Sequence, residues 1–223
     1  MKKYLFTTLI LFSLYNELQA QDTELHVKNV DVHFQPLSLI AWSPRTTLGV
    51  EVRSNKRLAY ALDIGYGAHD LNFDRFYWDE GYRFLEIRPQ IKYYFKSNSN
   101  RYGYYCALEL FYIHISDQIQ NEYYHKASNS QVLSFDSADF DKTKHGLHII
   151  GGVSLIAYKK ISFDLFVGFG AAIRKITYQN VINPEEIEYP RYEWYIPTNL
   201  FEQQRLDFHM TLGTKIGFNF NKY

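Results

Sequence analysis

One stretch of this chain limits its possible folds more than any other. From Leu85 to Lys96 one parity reads Leu85, Ile87, Pro89, Ile91, Tyr93 and Phe95, while the other reads Glu86, Arg88, Gln90, Lys92, Tyr94 and Lys96. A helix would scatter those charges around its circumference, whereas a strand places them all on one face. The segment is therefore a strand with two very different environments on its two sides.

The same separation recurs along the chain. Leu206, Phe208, Met210, Leu212, Thr214, Ile216, Phe218 and Phe220 oppose Asp207, His209, Thr211, Gly213, Lys215, Gly217 and Asn219. Ile161 to Ile173 and Leu58 to Tyr66 alternate likewise. Strands are predicted near 30–41, 46–53, 58–69, 83–96, 102–117, 144–157, 161–179 and 205–220. Pro36 and Pro89 predict lapses in pairing, because proline cannot donate to a ladder. The turns at Ser54 to Arg57, Ser97 to Asn100 and Lys159-Lys160 are short, whereas Asp70 to Tyr82, Gln118 to Thr143 and Asn180 to Gln204 are long links. Short turns at one end and long loops at the other is the transmembrane β-barrel pattern. Only Trp42 to Arg45 is short on the long-loop side.

The polar face decides which way the barrel is turned. It carries Glu51, Arg53, Asp63, Glu86, Arg88, Lys92, Glu109, Asp164, Arg174, Asp207, His209 and Lys215, both signs in similar numbers. Eight strands enclose a lumen just wide enough for side chains, so this set is expected to fill it as a lattice of ion pairs and hydrogen bonds. Gly65, Gly67, Gly168, Gly170, Gly213 and Gly217 would leave room for the longer partners. The apolar face would then meet lipid, where an unclosed sheet is excluded because its backbone groups find no water. The inverse assignment, a soluble lipocalin-like barrel with its charges outward and a ligand inside, is the alternative.

The 20 Tyr and 17 Phe fit an aromatic girdle. Tyr60, Tyr93, Phe95, Tyr104, Tyr158, Phe163, Phe218 and Phe220 fall at the short-turn ends, and Tyr112, Tyr123, Tyr124 and Tyr178 at the long-loop ends. At the N-terminus Lys2 and Lys3, the apolar run Tyr4 to Tyr15, and Leu18-Gln19-Ala20 follow the order of a secretory signal peptide cleaved after Ala20. That leaves one domain, 21–223, with 22 basic and 23 acidic residues, which lacks the basic footprint of a nucleic-acid binder. The single cysteine, Cys106, allows no internal disulfide and reads as a small apolar side chain.

The signal peptide, the final strand LDFHMTLGTKIGFNF and the glycine-spaced strands ALDIGYG and FVGFGAAI resemble small outer-membrane barrels, in particular Bacteroidota families of the OmpA/OmpX-like "outer membrane protein beta-barrel" type. The resemblance is architectural and covers nearly all of the chain after the signal. It implies residence in the outer membrane, among its lipids and lipopolysaccharide, and no particular activity. The last strand is also similar to the aromatic-rich signal read by the barrel-assembly machinery, but departs from it because Asn221, Lys222 and Tyr223 follow Phe220.

Few residues point to chemistry. His114 and Ser116 share one strand face, on the lipid side by parity with Leu108, Leu110 and Tyr112. A His beside a Ser is a hydrolase arrangement when a carboxylate orients the His. The pair superficially resembles the His-x-Ser of lipid A 3-O-deacylases, yet Asp117-Gln118-Ile119 is not the expected Asn-Ala-Gly continuation and the sequence assigns no carboxylate. His145 and His148 fall on opposite faces and do not chelate, and Asp136, Asp139 and Asp141 lack calcium-loop spacing, so no metal or cofactor is expected. The last long loop is acidic and proline-stiffened, and its Tyr189, Tyr192, Trp194 and Tyr195 suit contact with an extracellular protein or glycan. The expectation is a monomeric, up-and-down, all-β transmembrane barrel of eight strands, or ten if a hairpin lies between Gln131 and Phe140. Its role is read as structural or surface interaction, with a narrow pore or a lipid A-modifying enzyme as alternatives.

Overall fold

The computed structural model describes residues 29–41, 43–54, 57–69, 81–95, 102–126, 131–158, 160–187 and 201–220. The signal segment 1–20 and the loop aromatics Tyr189, Tyr192, Trp194 and Tyr195 lie outside the described residues.

The described chain is all-β: one antiparallel sheet of nine strands that closes in a ring. The strands are β1 (Asn29–Phe34), β2 (Thr46–Arg53), β3 (Leu58–Ala68), β4 (Arg83–Tyr94), β5 (Tyr102–His125), β6 (Val132–Tyr158), β7 (Ile161–Ile182), β8 (Glu185–Glu186) and β9 (Gln204–Asn219). Each of β1 to β6 pairs with the next in sequence, β7 pairs with β9, and β9 returns to β1. The two-residue β8 lies against Leu133 and Ser134 of β6, outside that circuit.

The alternation read from the sequence is the alternation observed. Along β4 the burial switches at every residue, with Leu85, Ile87, Pro89, Ile91 and Tyr93 outward and Glu86, Arg88, Gln90, Lys92 and Tyr94 inward. Both prolines act as expected. Pairing between β4 and β5 lapses at Arg88 and Pro89, between the Ile87–Tyr112 and Gln90–Glu109 pairs. Pro36 ends β1 and opens a 3-10 turn, Pro36–Ile40, so the first strand stops at Phe34 rather than running to residue 41.

That early stop leaves a seam. β1 pairs with β9 only from Asp31 to Phe34, against Asn219 to Ile216. β9 continues down to Gln204 paired with β7 alone, and the 3-10 turn sits beside it.

The largest departure from expectation is the link Gln118 to Thr143. It is not a loop: β5 and β6 run on together, 24 and 27 residues long, with Gln118 opposite Asp139 and His125 opposite Val132. The alternative of a separate hairpin between Gln131 and Phe140, which would make ten strands, gives way to this extension, which adds no strands to the circuit. Asn121 has a positive φ of 53°, a conformation Asn tolerates better than most residues. Asp136 stands across from it, and there both strands exchange faces: Asp117 is inward before the change, Tyr124 after it.

Tyr124, through this change of faces, and Tyr178, by its parity on β7, are not part of an outer girdle. They are buried and stacked, ring centroids 4.5 Å apart, in a cluster with Tyr82, Phe84, Phe135 and Phe140 at the long-link end. A second apolar cluster, Tyr94, Tyr105, Ile150 and Phe166 with Ala59 and Ala107, fills the short-turn end. Tyr60, Tyr93, Phe95, Tyr104, Phe163, Phe218 and Phe220 do stand on the outer surface at that end, as does Tyr112 higher up.

Candidate functional site: the charged lumen

Between the two apolar plugs the ring is filled by the polar face of its strands. Asp63 is the hub, fully buried on β3. Its Oδ1 meets His33 Nε2 at 2.5 Å, and its Oδ2 accepts from Lys215 Nζ (2.6 Å), Gln35 Nε2 (3.0 Å) and Gln90 Nε2 (3.1 Å). Donors from β1, β4, β9 and the residue after β1 thus converge on one carboxylate, tying the seam strands to the opposite wall.

Toward the short turns, Lys92 lies 2.8 Å from Glu51 and 3.1 Å from Asp164. Tyr94 donates to Glu51 (2.8 Å) and Tyr105 to Asp164 (2.6 Å), so the lower aromatic plug is hydrogen-bonded into the lattice. Arg53 covers the Tyr94 ring at 4.0 Å and reaches Glu51 at 3.5 Å. Toward the long links, Arg88 donates to Glu109 and to Thr211, both at 2.7 Å, and lies 3.3 Å from Glu86, which also takes Arg45. Arg174 pairs with Asp207 at 3.0 Å. All twelve charged or histidine residues expected in the lumen are on this inner face, most of them buried.

Room for these side chains comes from the inward glycines. A β-carbon at Gly65 would meet Glu86 at 2.9 Å, one at Gly213 would strike the Phe166 ring, and one at Gly217 would strike Asp31 and Ser162. Gly49, which the sequence reading did not single out, sits where a β-carbon would collide with both His33 and Asp63.

One relay went unseen in the sequence. His148 Nδ1 donates to Glu109 at 2.8 Å, and its Nε2 lies 2.7 Å from His209 Nδ1. A neutral His148 therefore accepts from His209. Phe111 stacks on both rings, at 4.3 and 5.0 Å. His148 and His209 lie on β6 and β9, 61 residues apart, and no local motif announces the pairing. His145, as expected, points outward, away from His148.

The outer face carries the other candidate pair. His114 and Ser116 are half-buried there, and no hydrogen bond joins them. The sequence assigned no carboxylate to His114. The extended hairpin supplies one: Asp141 stands opposite Ser116 in the ladder, its Oδ2 3.6 Å from His114 Nε2. Asp136 and Asp139 are strand residues rather than loop acids, and accept from Asn183 Nδ2 (2.7 Å) and Asn180 Nδ2 (2.6 Å). Among the described residues no group of three or more His, Cys, Asp or Glu is arranged to hold a metal ion.

Above the ring, His125 is buried against Phe201, ring centroids 4.4 Å apart, and its carbonyl accepts from the Glu202 amide at 3.0 Å. Burial holds its imidazole below the ordinary histidine pKa. No family model, curated protein or solved structure matches this chain.

Proposed function

We propose that the chain is an eight-stranded outer-membrane β-barrel, exported by its N-terminal segment, monomeric, and closed to flow, with a structural or surface-interaction role. One observation carries the reading. The ring shows its apolar residues and hides its charges. Leu62, Ile64, Ile91, Leu110, Ile149, Leu165, Phe208 and Leu212 are 43–71% exposed, while Asp63, Glu86, Lys92 and Glu109 are at most 1% exposed. In water a contiguous apolar band of this kind is a liability; in a bilayer it is the required solvent contact.

Strand lengths support it. β3 and β4, at 11 and 12 residues, match the roughly 9–11 needed to cross at typical tilt. A ligand-binding soluble barrel would need the opposite arrangement, an apolar lumen. A pore is disfavoured by side chains filling the ring at three levels. The environment would be outer-membrane lipid and lipopolysaccharide, reached through the barrel-assembly machinery. The β5–β6 hairpin and the acidic last loop would face outside, where an extracellular protein or glycan is the partner class to test.

The first experiment compares boiled and unboiled membrane fractions by SDS gel. A mobility shift in the outer-membrane fraction supports a closed, detergent-resistant barrel, and a protein found soluble without a shift refutes it. Conductance in planar bilayers tests the pore. Asp141 beside His114 gives the lipid-hydrolase reading one observation in its favour. Lipid A mass spectra from a His114→Ala strain decide it: unchanged acylation removes it.

A further inference from the structure

The seam between β1 and β9 has a cavity behind it. About 310 Å³ in volume, it lies inside the ring, yet Met210 and Leu212 help line it. Those two side chains stand on the outer face of β9, 58% and 71% exposed. Among the described residues, a lumen cavity walled in part by outer-face residues opens through the wall at that point. It does so where β9 is paired with β7 alone and its other edge has no strand beside it, because Pro36 has turned β1 away.

The inner wall of this opening is basic. Arg45, Arg88, Lys142 and Lys144 line it, and Glu86 is the only acid among its described lining residues. Both arginines already pair with that glutamate. His148 and His209 also line it and Thr211 offers a hydroxyl, while Phe84, Phe111, Ile113 and Ile115 supply an apolar part of the lining. The outer rim is apolar, with Met210 and Leu212 on β9 and Ile40, 77% exposed, on the 3-10 turn that packs beside β9.

We propose that this side opening binds an anionic lipid, its phosphate-bearing headgroup drawn in toward Lys144 and Arg88 and its acyl chains left outside along Ile40, Met210 and Leu212. The volume falls at the low end for ligand pockets, enough for a headgroup and too little for two acyl chains as well. A phosphate answers a four-to-one cationic lining, since charge-assisted hydrogen bonds to Arg and Lys are among the strongest available. An apolar rim next to a basic wall matches the two halves of a lipid in one direction only. This inference rests on the membrane-barrel reading.

Native mass spectrometry of the full barrel released from mixed micelles tests it. Phosphatidylglycerol and phosphatidylcholine are the probes at equal mole fraction, with inorganic phosphate as competitor. The expected result is one retained phosphatidylglycerol, preferred roughly fivefold or more, with the preference falling to about unity in Lys142→Gln/Lys144→Gln and reduced in Lys144→Gln alone. Phosphate should compete weakly, because it lacks the tail. Equal retention of the two lipids by the wild type overturns the proposal, as does an undiminished preference in both variants. Displacement by phosphate at equimolar concentration also overturns it, marking the site as one for free anions. Each sample is run unboiled and boiled on an SDS gel. A wild-type protein with no heat shift refutes the barrel reading itself and this proposal with it; a shift without lipid preference refutes the proposal alone.

Discussion

Replacing Asp63 by Asn is the sharpest test of how the lumen is held together. The change is nearly isosteric but removes the charge that faces Lys215 at 2.6 Å. It also sets an amide donor among three other donors, from His33, Gln35 and Gln90. Breaking a buried ion pair by removing one partner costs about 3–5 kcal/mol, because the remaining charge stays buried. Each donor left without an acceptor adds about 1–3 kcal/mol. Gln90 retains Glu109 as an acceptor, and Asn keeps one oxygen, so only part of that second cost is felt. A loss on the order of 4–7 kcal/mol is expected. Urea titration of the barrel folded into lipid vesicles, read by the SDS mobility shift, measures it. Lys215→Met should cost a comparable amount alone. The double variant should be more stable than the sum of the two losses predicts, by roughly 2–3 kcal/mol, since Met fills similar volume without a charge. A single-variant loss under about 1 kcal/mol, or strict additivity, would mean that water reaches Asp63 and screens it, and that this hub does not interlock the strands around it.

Other outcomes follow from the same structure. Leu62→Arg, on the outer face of β3, should cost about 2–4 kcal/mol in vesicles if the band faces the bilayer midplane; no cost in the same titration would favour water outside. Gly213→Val should lose about 1–3 kcal/mol because its side chain would displace the Phe166 ring, and a Phe166→Ala background should recover part of that loss. His125 titrates below an ordinary histidine because of burial, so it resists protonation where it is packed and accepts it where the segment has opened. Protection of the amides near His125 should thus be full above pH about 6.5 and decline as pH falls below that value. Hydrogen exchange measures this; unchanged protection at pH 5, or an equal decline in His125→Phe, would dismiss the histidine as its cause.

The parts of the molecule that were legible in its sequence are those where the two faces of a strand meet different surroundings. Along β3, β4 and the ring portions of β7 and β9, period two alone assigned every inner and outer residue correctly. Beyond the ring each half of the hairpin keeps a buried face, with Tyr124, Phe135, Ala138 and Phe140, but over runs too short to register a period, so 118–143 reads as a loop although 118–125 and 132–143 are strand. Asn121 compounds this, since a single positive φ reverses which residues face inward and no side-chain pattern records it. Tyr178 is a different case. It shares parity with Asp164 and Arg174, so its inward position followed from the alternation and was obscured only by the appeal of a second aromatic girdle. The Glu109–His148–His209 relay depends on registers across four strands, β5, β6, β7 and β9, and the Asp141 beside His114 on the register between β5 and β6, neither of which one strand's periodicity contains.

The long hairpin also closes over the upper end of the molecule. β4 stops accompanying β5 at Ser116, and the nine residues Asp117 to His125 continue with β6 on one side, at first beside β7. Held straight they would reach roughly 30 Å past that last rung. Tyr124 instead stacks on Tyr178, which the ladder places level with Asp117, and the His125 carbonyl takes the amide of Glu202, two residues before β9 begins. The change of faces at Asn121 and Asp136 thus accompanies a bend that lays the distal half of the hairpin back toward the ring. A partner gripping that end would pull on the aromatic cluster and on the start of β9 together, so the hairpin is a cap whose loosening the strands beneath it would feel.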